Sequence, residues 1–259
     1  MNFHVKLDTG YAEGVLPSVK LADGWRPGEE LFVLTEAGWR TVWRRQYVFI
    51  NTADLSGASI FELMGSPTGK RRYVFVNRGT LYAGSSGFAL RTGVFPAGST
   101  LTIVNEGAIR GAGGNGAYPS QATPGQCALL LEFPTNLDNR AGLVFGGGGG
   151  GGYRFVVVGG GSLYSGGGGG AGRKGGARGQ MYQTTVYGVI YPGAGTDAAG
   201  GAGGRYSAGY PGGAGGAPGE AGVTVTSVAG AGGYAIDRAG NVLTIIAGGE
   251  TDRLKGAIV

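Results

Sequence analysis

The residues with recognition chemistry gather in the second half of the 259-residue chain, where Tyr164, Tyr182, Tyr187, Tyr191, Tyr206 and Tyr210 are interspersed with Arg173, Lys174, Arg178 and Arg205. Tyrosine presents a wide amphipathic contact surface at small entropic cost, and arginine pairs well with phosphate or carboxylate. Such a set binds rather than catalyses. Packing between structural elements is the competing role for any one of these rings.

Catalytic constellations are not found beside it. His4 is the single histidine and sits at a terminus, a poor place to hold a general base. Cys127 lies in Cys127-Ala128-Leu129-Leu130-Leu131 and reads as a small buried apolar residue. The single Cys127 excludes an intramolecular disulfide framework, and with one cysteine and one histidine no structural zinc site is expected. Asp138, Asp197, Asp237 and Asp252 are scattered singly, whereas glycoside hydrolysis needs two converging carboxylates. Gly65-Ser66-Pro67-Thr68-Gly69-Lys70-Arg71 misses phosphate-loop spacing, lacks the final Ser or Thr, and reads as a hairpin loop. The glycine runs generate dinucleotide-type matches, but none joins a strand to a helix. No enzyme activity, cofactor or metal is expected.

Trp39, Arg40, Trp43, Arg44, Arg45 and Tyr47 resemble a basic-aromatic nucleic-acid surface. In a strand, however, Trp39, Trp43 and Arg45 share one face while Arg40 and Arg44 take the other, so a half-buried strand explains them and no nucleic-acid partner is expected. Even Phe155-Val156-Val157-Val158 is cut short by glycine, far from the ~18 apolar residues of a membrane span. The opening Met1-Asn2-Phe3-His4 lacks the basic and apolar regions of a signal peptide, so synthesis in a cytoplasm without export by that route is expected.

The elements that must position the binding residues are unusual. Glycine supplies 60 residues, and charged residues only 14%, well below the typical quarter. Hydrophobic residues nevertheless reach 42%, enough to build a core, so the glycines read as structural rather than as disorder. The net charge of +5 permits an acidic partner.

Only 13 of the glycines lie at or before position 105, which puts a boundary near Val104 to Gly111. The chain is therefore divided into a β-rich attachment domain at 1–100 and a glycine-rich domain at 101–259. In the first, Glu30–Leu34, Gln46–Ile50, Arg72–Val76 and Thr100–Val104 are β-branched or aromatic runs bounded by Gly, Pro or Asn, which predicts short strands. Val19–Pro27 and Val33–Val42 form a weak repeat of strand, polar turn and Gly-Trp-Arg, a hairpin pattern. No amphipathic helix is evident.

In the second part, glycine tracts at 146–152, 159–161, 166–170 and 200–204 alternate with aromatic or aliphatic patches. Tracts this long lose much backbone entropy on ordering and must recover it through hydrogen bonds between neighbours. A polyproline-II-type rod has three residues per turn and no internal hydrogen bonds, so glycine rods can pack closely and bond laterally in several directions. Collagen is the competing reading for 213–222, but its register fails at Val225. The expected fold is mainly β and irregular: a small β domain, then a sandwich of packed polyglycine-II helices with loops and almost no α-helix. The expected binding loops are 118–124, 133–139, 164–165, 173–191 and 205–211, with Val156, Val157 and Val158 packed inside.

Some of these residues resemble a known family. Leu101–Asn105 followed by Glu106-Gly107-Ala108-Ile109-Arg110-Gly111 and then Gly113–Gly116, Asn139–Phe145 followed by seven glycines, Gly230–Ile236, and Leu254–Ile258 resemble, in order, the motifs of Gly-rich bacteriophage tail fibre adhesins. The likeness covers about 101–259, with Ala141-Gly142-Leu143 shifting the second motif and the first 100 residues fitting poorly. It implies a polyglycine-II sandwich at the tip of a virion tail fibre, released by lysis. Loops between the Gly-rich motifs would recognise a bacterial cell-surface receptor, either an outer-membrane protein or lipopolysaccharide. The implied partners are that receptor and another tail fibre or tail tip protein, the chain acting as a homotrimer or as a single cap on a trimeric fibre. A purely structural tail tip without receptor contact is the alternative.

Overall fold

The structure, a computed structural model, describes residues 46–84, 87–183, 188–206 and 209–259, and the backbone of four strands before them. Those four strands form two antiparallel hairpins, Ser18–Leu21 with Gly24–Pro27 and Glu30–Thr35 with Gly38–Arg44. The strands expected at 46–50, 72–76 and 100–104 form as Gln46–Asn51, Arg72–Asn77 and Thr100–Asn105. Among the described residues, helix is confined to the single turn Ile60–Leu63, where the Ser59 side chain caps the start by accepting from the Glu62 amide.

From Gln46 onward the chain winds as a three-sided parallel solenoid. The first side stacks Gln46–Asn51, Arg72–Asn77, Thr100–Asn105, Thr135–Asp138 and Leu243–Ala247. The second stacks Leu55–Ser56, Thr80–Tyr82, Ala108–Arg110, Leu143–Phe145 and Leu254–Lys255. The third stacks Ala58–Ser59, Phe88–Arg91, Cys127–Leu130 and Ile236–Asp237, extended by a parallel bridge from Ile236 to Ile258.

Register places like on like. Phe49, Phe75, Ile103, Leu137 and Ile245 form one column, and Leu55, Leu81, Ile109, Val144 and Leu254 another. Phe75, Leu81, Ile103, Ile109, Leu137 and Val144 are fully buried, each worth ~1.5–3 kcal/mol by removal of apolar area from water. Phe49 and Phe75 stack with ring planes 6° apart.

Two sequence expectations are corrected here. The 65–71 segment connects parallel neighbours, so it is a crossover of the solenoid and not a hairpin loop. The 133–139 segment is no binding loop: Phe133 packs on the core, and Thr135–Asp138 is a solenoid strand.

The corner between the first and second sides carries an asparagine ladder. Asn51 Nδ2 donates to Asn77 Oδ1 at 2.9 Å, Asn77 to Asn105 at 2.9 Å, Asn105 to Asn139 at 2.8 Å, and Asn139 to the Gly248 carbonyl at 3.1 Å. All four asparagines are buried. Their amides satisfy one another and nearby carbonyls, which lets polar groups line a corner that water cannot reach.

The glycine-rich segments are excursions from this solenoid at one corner. Residues 111–126 interrupt the third turn between its second and third sides, and residues 146–235 interrupt the fourth at the same place. Each departs along the ladder, the Gly111 amide donating to Phe145 and the Gly146 amide to Lys255. The compositional boundary near 100–111 is thus crossed by a continuous sheet, since Thr100–Asn105 pairs with strands on both sides of it.

Within the excursions, residues 146–152 form a central rod with a strict period of three. The amides of Gly147 and Gly150 donate to Gln126 and Thr123, those of Gly148 and Gly151 to Ala171 and Gly168, and those of Gly149 and Gly152 to Glu220 and Val223. The carbonyls accept with the same period: Gly147 and Gly150 from Gly233 and Gly230, Gly148 and Gly151 from Gly114 and Ala117, Gly149 and Gly152 from Gly216 and Gly213. Six neighbouring rods therefore surround this one, every backbone N–H and C=O of Gly147 to Gly152 is paired, and the three-residue repeat is that of a polyglycine-II helix. The rod at 166–172 is bonded in the same six-fold way. A Cβ on Gly150 would run into the carbonyl of Asn115, which explains why the rod admits no side chain.

Candidate functional site

The rods run alternately away from and back to the solenoid, which sorts the connecting segments into two groups. Turns at 173–174, 197–198 and 218–220 lie near the solenoid: Arg173 reaches Asp54 at 3.8 Å and Asp197 at 3.3 Å, and Arg110 donates to the Asp197 carbonyl. The described residues of five segments, 118–122, 153–165, 180–191, 205–210 and 224–228, lie at the far end and form a distal face.

Short strands organise that face. Arg154–Val158, Gly161–Ser165 and Tyr182–Gln183 make one antiparallel sheet, with Phe155 opposite Tyr164 and Tyr164 opposite Tyr182. Val189–Ile190 pairs with Arg205–Tyr206 in a second. The 224–228 segment is tied on by the Ser227 hydroxyl, which accepts from the Tyr153 amide at 2.8 Å.

Aromatic rings meet there. Tyr118 stacks on Tyr164 with centroids 4.8 Å apart, Phe155 lies 4.7 Å from Tyr164, and Tyr153 and Tyr182 close the group from either side. Partial burial, followed by the neighbouring tyrosines Tyr164, Tyr182 and Tyr153, raises the Tyr118 hydroxyl above its usual pKa. Arg178 lies over the Tyr191 ring at 5.5 Å and Arg154 over Tyr210 at 5.9 Å, both within cation-π range. An open groove runs between Gln121, Tyr153 and Thr226–Ala229.

The distal face exposes Tyr182, Ile190, Tyr191, Tyr210 and Val228, with Val157 at 64% exposure. Val157 therefore does not pack inside, as its β-branched run suggests. In the hairpin, Phe155 and Val157 share the outward face and Val156 and Val158 the other, by the period-two rule. The five distal segments contain no Asp or Glu, whereas Arg154 and Arg205 lie within them.

Of the residues expected to bind, Tyr164, Tyr182, Tyr191, Arg205 and Tyr210 come together on the distal face, with Arg178 beside Tyr191. Tyr206 lies beneath that face at 1% exposure. Arg173 and Lys174 are at the opposite end of the rods. Tyr187 lies outside the described residues. Tyr118, which opens the expected loop 118–124, belongs to the same cluster, as do Tyr153, Arg154 and Phe155, which lie outside the expected loops; their position directly after the glycine rod at 146–152 is the available signal. Among the described residues, no group of three or more His, Cys, Asp or Glu could hold a metal ion. Burial raises the Cys127 thiol to a pKa of about 11, which leaves it unreactive at neutral pH.

A solenoid carrying a glycine lattice defines a rigid scaffold that presents loops at its far end. The profile of the phage tail fibre adhesin Gp38 family matches residues 46–259, and the chain belongs to that family. Among solved structures, it is similar to the crystal structure of the gp37-gp38 adhesin tip complex of the bacteriophage S16 long tail fiber, at 21% identity, a TM-score of 0.58 and 83% coverage of each chain. No curated protein sequence matches the chain.

Proposed function

We propose that this protein, a phage tail fibre adhesin, recognises a bacterial surface receptor, an outer-membrane protein or lipopolysaccharide, through its distal face and has no enzymatic role. The observation that carries this reading is the composition of that face. It combines exposed aromatic and aliphatic side chains with arginines and no carboxylate, on loops held by a lattice in which every central backbone group is bonded. Aromatic and arginine side chains anchor binding surfaces because they bury much area per immobilised bond. A rigid scaffold confines sequence change to the loops it presents.

The first turn of the solenoid supports a second contact, with another tail fibre protein. Gln46–Asn51 is an end strand of its sheet and exposes Tyr47, Val48 and Ile50, an apolar edge away from the distal loops. In this reading residues up to 100 contribute the attachment part and the lattice from 101 onward the receptor-binding part. The S16 neighbour is a complex of two tail fibre proteins, consistent with attachment at such an edge.

The test is adsorption of the purified protein to host cells. A Val157→Asp, Tyr182→Ala variant is compared with an Arg173→Ala, Lys174→Ala variant altered at the solenoid end. Loss of saturable binding in the first alone is expected. Equal binding by wild type and both variants would mean that the distal face is not the receptor surface.

A further inference from the structure

Among the described residues of the tip, Tyr206 is the largest side chain that is fully buried. Its single hydroxyl proton is donated chiefly to the carbonyl of Tyr182 at 2.5 Å and shared with that of Tyr164, the more distant acceptor at 3.1 Å. Those two residues face each other across the three-stranded distal sheet, while Tyr206 itself belongs to the separate two-stranded sheet, opposite Val189. One phenol thus joins two sheets at Tyr164, Tyr182 and Tyr206, on three successive distal segments. A second tie runs alongside, the Ser165 hydroxyl donating to the Tyr210 carbonyl at 2.8 Å.

We propose that Tyr206 is a positioning residue for receptor binding: its hydroxyl holds the Tyr164 and Tyr182 strands against the 205–210 loop, so that the exposed rings and Arg205 are presented in one arrangement before contact. The proposal rests on the receptor reading above. The physical basis is the entropy of the loops. Glycine rods end where these loops begin and supply no side chains to hold them, so the loops must be fixed by bonds of their own. A binding surface fixed in advance loses less entropy on association, and the gain shows mainly as slower dissociation.

Tyr206→Phe removes the hydroxyl and keeps the ring. Tyr73→Phe is the matched control, since the buried Tyr73 hydroxyl donates to the Gly69 carbonyl within the solenoid, far from the tip. Ser165→Ala, which removes the second tie, is the independent variant. Two readouts are made on each full-length protein: amide hydrogen exchange, and dissociation from host cells.

For Tyr206→Phe, faster exchange at 163–165 and 182–183 and roughly tenfold faster dissociation are expected, with Ser165→Ala shifting both in the same direction and Tyr73→Phe neither. Unchanged exchange would show that the hydroxyl does not hold the loops. Faster exchange with wild-type dissociation would reduce it to a stabilising bond without a part in binding. Wild-type protein that does not bind cells at all would instead sink the receptor reading itself, an outcome distinct from either.

Discussion

Asn77 donates its side-chain amide to Asn105 Oδ1, and Asn105 donates in turn to Asn139 Oδ1. Asn105→Ala cuts this ladder in the middle: the buried Asn77 amide keeps its bond to the Gly79 carbonyl but loses the one to Asn105, and Asn139 Oδ1 loses its Asn105 donor. Stranding buried polar groups costs ~1–3 kcal/mol each, so a loss of about 2–4 kcal/mol is expected. Urea denaturation of the purified protein measures it, and a loss below about 0.5 kcal/mol would contradict the ladder's structural role.

Gly150→Ala places a methyl against the Asn115 carbonyl inside the central rod, where backbone and not a flexible side chain must give way. A loss of about 1–3 kcal/mol or more is expected from overpacking. Gly69→Ala meets nothing nearer than 3.7 Å and is expected to leave the melting temperature unchanged.

Arg173 reaches Asp54 and Asp197, but all three side chains are about half exposed, and solvent screens such pairs. Arg173→Ala is therefore expected to change stability by less than about 1 kcal/mol. Its place at the solenoid end predicts wild-type adsorption, measured in the same cell-binding assay.

Arg154 and Arg205 stand on a distal face without a carboxylate, which favours an acidic partner. Association is expected to slow as salt rises, and Arg205→Glu to slow it by roughly tenfold while changing dissociation less. Binding kinetics at two ionic strengths check both; a salt-independent association rate would exclude electrostatic steering.

Burial raises the hydroxyl pKa of Tyr73 and Tyr206 above the usual 10.0. The folded protein therefore holds these protons more tightly than the unfolded chain does. Their contribution to stability is complete below pH 10 and lost as pH rises through the folded-state values. Thermal melts between pH 9 and 11 should show falling stability, with a shallower fall in Tyr206→Phe.

Much of the local structure was legible from sequence. The β-branched run of Arg72–Val76 and the glycines of 146–152 each specify a backbone type, because alternation fits a pleated strand and absent Cβ atoms fit close-packed rods. The grouping of Tyr182, Tyr191, Arg205 and Tyr210 was also recoverable, since each lies in a patch between glycine tracts. The phenol of Tyr206 was not, because a buried tyrosine and an exposed one read alike in sequence.

Partner choice lay beyond the sequence. Nothing local in Leu243–Ala247 says that it stacks on Thr135–Asp138 after an excursion of some 90 residues, or that Asn51, Asn77, Asn105 and Asn139 share one corner. Nor do the glycine tracts state which way each rod runs, and that direction alone separates Arg173 at the solenoid from Arg205 at the tip. Sequence by itself determined which segments are strand, rod or loop, because those are choices of backbone conformation made residue by residue. Tertiary structure decided which segments lie side by side, because register and lateral hydrogen bonding are settled only when distant stretches of chain satisfy one another's buried polar groups.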